Sequence, residues 1–131
     1  MAEGFARKYG SDVIDPVSAG LSPAGIIQPL TKTVMEAKNI NLDTHSPKSL
    51  DVVDVASCDL IVNMSGVKLP TRLPIEVLEW KVADPIGKDE DIYIAVRDQI
   101  EMAVMRLILE LRKQARNGQT SADRAPAPRA R

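Results

Sequence analysis

Met1-Ala-Glu-Gly-Phe-Ala-Arg-Lys-Tyr-Gly10 is the stretch on which the reading of this 131-residue chain turns. Phe5 and Tyr9 stand four residues apart and so share one face of an α-helix, while Ala2, Glu3, Arg7 and Lys8 fall elsewhere on the wheel. Gly10 is placed to stop that helix. The helix begins at once, with no Ser, Thr, Asp or Asn ahead of it to accept its first N–H groups.

Composition narrows the classes of function. Seventeen basic residues against eighteen acidic ones give a formal charge of -1, so charge does not point to a nucleic-acid or membrane partner. At 3% aromatic the chain offers few platforms on which single-stranded bases stack. One cysteine builds neither a disulfide framework nor a zinc site, and neither a signal peptide nor a membrane-length apolar run is visible. The expectation is a cytoplasmic protein with no metal and no cofactor.

Outward from the first helix, strand-like and helical segments alternate as in α/β proteins. Asp12 to Ser18 carries Val13, Ile14 and Val17 and reads as a strand, with Pro16 implying an edge position or a late break. Ser18-Ala-Gly-Leu-Ser-Pro23 turns. Gln28 then precedes Pro29, whose missing N–H costs nothing at the first position of a helix continued by Leu30 and Val34. Asn39, tolerant of the left-handed region, is placed to end it. Leu42 to Leu50 reads as a loop and Ser49 to Val55 as a short helix. Cys58-Asp-Leu-Ile-Val-Asn63 has the continuous apolar centre of a strand covered on both faces, which implies a parallel sheet between helices. Met64 to Pro74 is a loop, and Val77-Leu-Glu-Trp80 reads as a last strand.

A final helix is the plainest element. Asp89 caps it, Glu90 and Asp91 put negative charge in its first turn, and Ile92, Val96, Ile100, Ala103, Val104, Leu107, Ile108 and Leu111 form one apolar stripe. Arg112, Lys113 and Arg116 gather where a helix favours cations. The domain is therefore drawn over residues 1–116, and residues 117–131, rich in Gly, Ser, Pro, Ala and Arg, read as a disordered tail.

Met1-Ala-Glu-Gly-Phe5, Ser18-Ala-Gly20, His45-Ser-Pro-Lys-Ser-Leu50, Asp59-Leu-Ile-Val-Asn-Met64 and Trp80 to Pro85, leading into Tyr93, Val96, Arg97, Asp98 and Ile100, occur here in one order. In that order they resemble the low-molecular-weight protein tyrosine phosphatases and the related thioredoxin-coupled arsenate reductases. The resemblance implies a three-layer α/β/α fold around a four-stranded parallel sheet, with a phosphate or arsenate oxyanion held after the first strand. It also implies that this first, central strand and a Cys-x5-Arg loop stand ahead of Met1 in the family and are lacking here. The helix from Met1 to Tyr9 is then the one whose N-terminus backs the oxyanion cradle.

Phosphoryl transfer from a tyrosine needs a thiolate nucleophile, a cradle of N–H groups with an arginine, and an acid for the departing phenolate. By resemblance the acid is the aspartate of an Asp-Pro pair before the last helix, and Asp84-Pro85 occupies that place. Asp-Pro is also a common turn, so Asp84 carries both readings. Cys58 is read as a buried, inert cysteine, because Met64, six residues on, is not an arginine and no glycine lies between. His45 has no second histidine for a metal, and Ser18 is a candidate for the site wall.

In the arsenate reductase branch the loop after the central strand carries two further cysteines, which by resemblance form a disulfide as arsenate is reduced. Met64 stands where the first is expected, so that relay does not run in this chain. The expectation is a truncated phosphotyrosine phosphatase, inactive as it stands, acting in its parent form on phosphotyrosine proteins. Alternatives are an arsenate reductase that borrows external thiols, a non-catalytic binding relative, and an unrelated α/β interaction domain. A sheet opened at its centre is also expected to favour homo-oligomers through exposed strand edges.

Overall fold

The computed structural model describes residues 1–20, 27–43, 55–69 and 75–119. The first helix, α1, spans Ala2–Gly10, and no side chain caps it at Met1. Its first internal bond runs from the Phe5 N–H to the Met1 carbonyl at 3.1 Å. Glu3 and Arg7 pair at 3.1 Å one turn apart, in the orientation that opposes least the helix dipole. Phe5 is wholly buried, and its ring stacks on Tyr9 with centroids 6.0 Å apart.

Gly10 ends α1 for a reason other than backbone freedom. The chain continues through Ser11 in the ordinary right-handed region, φ -60°. A Cβ on Gly10 would lie 2.6 Å from Cγ1 and 2.8 Å from Cδ1 of Ile108, so the missing side chain is what lets α1 approach its neighbour. The strand expected over Asp12 to Ser18 does not form. The N–H groups of Val13 and Ile14 turn back onto the Gly10 carbonyl, at 3.0 and 2.8 Å, and Pro16 has none to offer a ladder. An isolated bridge follows at Gly20, beyond the expected strand.

The second helix, α2, is Pro29–Glu36, with Pro29 in its first turn. Asn39 closes it at φ 60°, and the Ile40 N–H returns to the Met35 carbonyl at 3.1 Å, which buries Val34, Met35 and Ile40 together. Most of the short helix expected over Ser49 to Val55, and the loop with His45, lie outside the described residues; Val55–Ser57 forms one 3-10 turn.

Two strands pair in parallel, β1 at Leu60–Asn63 and β2 at Glu76–Glu79, in the register Leu60 to Glu76 through Asn63 to Glu79. The second begins one residue earlier than its apolar run suggested. This gives an α/β fold with a parallel sheet, smaller among the described residues than the four strands the resemblance implies. Buried Asn63 ends β1 and satisfies itself locally: its amide donates to the Val67 carbonyl at 2.7 Å, and its oxygen accepts from the Ser65 N–H at 3.0 Å and the Ser65 hydroxyl at 2.7 Å.

The last helix, α3, runs Glu90–Gln119, and Asp89 caps it by accepting the Ile92 N–H at 3.2 Å. It continues past the boundary drawn at Arg116, and residues 120–131 lie outside the described residues. Its stripe is buried from Tyr93 and Val96 through Ile100, Val104 and Ile108 to Leu111, whereas Ile92 stands 43% exposed because it lies about 100° around the helix from Tyr93, off the buried face. Both α1 and α2 pack on α3, and α3 also finishes their ends. Arg112 donates to the Tyr9 carbonyl at 2.8 Å and grips Asp12 with two bonds, at 2.9 and 3.0 Å. Arg97, itself buried, donates to the Val34 carbonyl in the last turn of α2 at 3.0 Å. These carbonyls lie where a helix leaves its acceptors without internal partners.

Candidate functional site

A cavity of about 920 Å³ opens between the start of α1 and the segment that leads into α3. Met1, Ala2, Glu3 and Arg7 form one side, Ser18 stands beside them, Met64 and Ser65 come from the loop after β1, and Val82 to Ile86 form the opposite rim. Val96 and Ile100 reach it from the buried face of α3. Each contribution follows from local structure, since the ends of helices and strands bring exposed polar groups to one edge while the apolar stripes behind them hold the layers together.

The start of α1 gives this cavity its electrostatic character. Phe5 makes the first intrahelical bond, so the N–H groups of Ala2, Glu3 and Gly4 lie ahead of the ladder, at the positive end of the helix. Such an end favours anions. Burial holds the amino group of Met1 below its usual pKa of 8.0, with Glu3 opposing that shift in part. Glu3 also binds the wall together: it pairs with Arg7, accepts a hydrogen bond from the Ser18 hydroxyl, and Arg7 in turn donates to the Pro16 carbonyl at 2.9 Å. The segment after α1 is thereby tied back against its first turn.

Asp84 lies on the rim of the same cavity and is exposed. Its Oδ1 accepts the Ile86 N–H at 3.0 Å, the Lys88 N–H reaches the Pro85 carbonyl at 2.9 Å, and Gly87 supplies the left-handed residue of that turn at φ 80°. The pair thus makes the turn, and that turn places Asp84 on the cavity rim. Cys58 is elsewhere, 8% exposed ahead of β1 and away from the cavity lining. His45 lies outside the described residues. Among the described residues no three His, Cys, Asp or Glu side chains group to hold a metal ion, and no helix is long and apolar enough to cross a membrane.

Sequence reading named Asp84 and Ser18 but did not name Glu3, Arg7 or Ser65 as parts of one wall. For Glu3 and Arg7 a signal exists in their spacing of four, which makes an ion pair on a helix. Nothing in the sequence announces that Ser18 meets Glu3.

The profile of low molecular weight phosphotyrosine protein phosphatases matches residues 1–117. The chain belongs to this family. It is 28% identical over 115 residues to the glutaredoxin arsenate reductase of Synechocystis sp., covering 85% of this chain and 87% of that protein. It is 29% identical over 110 residues to the arsenate reductase of Staphylococcus aureus, covering 79% of this chain and 82% of that one. An arsenate reductase solved in the phosphate binding state superposes with a TM-score of 0.72 at 26% identity, over 83% of this chain and 86% of the other. Within the phosphatase family these relatives favour the arsenate reductase alternative over the phosphotyrosine reading to which the sequence first led.

Proposed function

We propose that this member of the family is an arsenate reductase that holds a tetrahedral oxyanion at the start of α1 and draws its electrons from two thiols outside these 131 residues. The observation that carries the reading is the shared cavity, which both the first turn of α1 and Asp84 line. A helix N-terminus with its dipole favours an anion there, and a carboxylic acid across the cavity is suited to protonate an oxygen as it leaves. Reduction of arsenate to arsenite takes two electrons: two thiols become one disulfide, and one arsenate oxygen departs as water with two protons. Cys58 is the sole cysteine of the sequence and is buried off the cavity, so both thiols come from elsewhere, whether joined to the chain or supplied in solution. The similarity to a glutaredoxin arsenate reductase supports an external source.

Arsenate, glutathione and glutaredoxin are the reagents of the test, with released arsenite as the readout and isothermal titration of arsenate and phosphate beside it. Expected are oxyanion binding and an arsenite rate that falls about 100-fold in Asp84→Asn, the usual scale for losing a positioned acid, while binding persists. Turnover of para-nitrophenyl phosphate without arsenite would return the assignment to phosphatase. Failure to bind either oxyanion would remove the cavity as the site.

A further inference from the structure

Asp84 is carried by a strip of chain that belongs to no helix or strand. β2 ends at Glu79, and the chain from Trp80 to Pro85 runs without regular structure before the turn that leads to α3. Cavities lie on both sides of this strip. The cavity described above takes Val82 to Ile86 as its rim, and a second, of about 590 Å³, is lined by Trp80, Lys81 and Val82 together with Met102 and Leu107 of α3. Val82 therefore borders both. It rests partly buried on the core, but space on two faces leaves a larger share in fixing the strip to the hydrogen bonds that tie it. Among the described residues two such bonds hold its start: the Trp80 N–H donates to the Asn63 carbonyl at 3.0 Å, and the Gln99 amide donates to the Lys81 carbonyl at 2.8 Å. The first only prolongs the pairing of β1 with β2. The second comes from α3, whose Val96 and Ile100 form the back of the cavity, and it binds the strip to that wall.

We infer that Gln99 is a positioning residue: its amide holds the Lys81 carbonyl to α3 and thereby sets where Asp84, three residues on, stands relative to a bound oxyanion. The inference rests on the reading of Asp84 as the acid of the reaction. An acid must come within hydrogen-bond reach of the oxygen it protonates, and a misplacement of about 1 Å can cost as much as about 100-fold in rate. Gln99 is well placed to prevent one. Buried Ile100 beside it anchors that turn of α3 in the core, while the Gln99 side chain is exposed and reaches out to the strip. An exposed neutral hydrogen bond contributes little to global stability, because water competes for both partners. Gln99 thus governs where the strip lies without being needed for α3 to form.

Gln99→Leu removes the donor and Gln99→Arg keeps one at similar reach. Gln, Leu and Arg have close helix propensities, so α3 persists in both variants. Trypsin cleaves after Lys81, and the carbonyl it attacks there is the one that Gln99 holds. Cleavage at this bond in the intact chain, read by mass spectrometry against cleavage after exposed Lys68, is expected to quicken about fivefold in Gln99→Leu, the scale of one neutral hydrogen bond, and to return in Gln99→Arg to the wild-type rate. With arsenate, glutathione and glutaredoxin, Gln99→Leu is expected to lower the maximal arsenite rate about tenfold, with calorimetric affinity for arsenate within about twofold of wild type, and Gln99→Arg to recover the rate. Unchanged cleavage after Lys81 in Gln99→Leu, a loss of rate shared equally by Gln99→Leu and Gln99→Arg, or an unchanged arsenite rate despite faster cleavage would each overturn the inference. Wild type that binds arsenate but releases no arsenite would sink the reductase reading instead, and the hold of Gln99 on the strip then stands or falls on cleavage after Lys81 alone.

Discussion

Gly10 occupies a regular helical turn, and two opposing effects meet there. Helix propensity favours alanine over glycine by about 1 kcal/mol. Packing opposes it, because the added Cβ would stand 2.6 Å from Cγ1 of wholly buried Ile108, a branched side chain with one preferred rotamer in a helix. Overpacking costs about 1 to 3 kcal/mol, so the steric term wins. Gly10→Ala is expected to lower stability in urea melts by about 1 to 2 kcal/mol net, and part of that loss should return when Ile108→Ala makes room. An alanine variant more stable than wild type would mean that Ile108 moves aside freely. The sequence located this stop correctly but not its cause, since the atom that decides it is 98 residues away. The turn at Asp84 was legible because Asp-Pro is a local signal. The wall of Glu3, Arg7 and Ser18 was not, because a hydroxyl and a carboxylate joined across a turn leave no periodic trace.

At the scale of elements, the joint between α1 and α3 depends on one ion pair as well as on apolar contact. Arg112 holds the Asp12 carboxylate below its ordinary value of 3.8, chiefly through their hydrogen bonds. A carboxylate with a depressed folded pKa stabilises the fold above its unfolded pKa, and that contribution is lost as pH falls through the folded value. Arg112, itself shifted upward, stays charged throughout. Wild type is therefore expected to melt above Asp12→Asn at neutral pH, with the gap closing only beneath the unperturbed value of 3.8. Melting curves collected across that range decide it, and a gap independent of pH would assign the effect to something other than the pair. The stripe of α3 was readable because one period persists over several turns. The segment from Asp12 to Ser18 misled because its apolar residues alternate like a strand while its first N–H groups are already committed to the Gly10 carbonyl.

Across the whole molecule, burial is uneven. Phe5, Met35 and Ile108 are wholly buried where the three helices meet, while β2 contributes no buried residue and each described strand is four residues long. Amide exchange is expected to be slowest in the middle of α3 and in α1, and fastest in β2, because local opening follows the apolar contact that holds each segment. Nuclear magnetic resonance of the exchanging amides tests this, and protection in β2 equal to that of Ile108 would contradict it. Fold class was legible from the order of segments, and the parallel pairing from the unbroken apolar run at Leu60 to Val62. The extent of the sheet was not, since hydrogen-bond partners between strands are chosen by the tertiary structure.

The clasp between the ends of the chain bears on how the protein is made. Arg112 reaches back 103 residues to Tyr9 and 100 to Asp12, and Glu101 accepts the Tyr9 hydroxyl across 92. A ribosome therefore delivers the first helix long before the helix that covers it. Phe5 waits in water until α3 emerges, a nascent chain halted before Glu90 offers an uncovered greasy face to chaperones, and the core cannot close until that helix has been made.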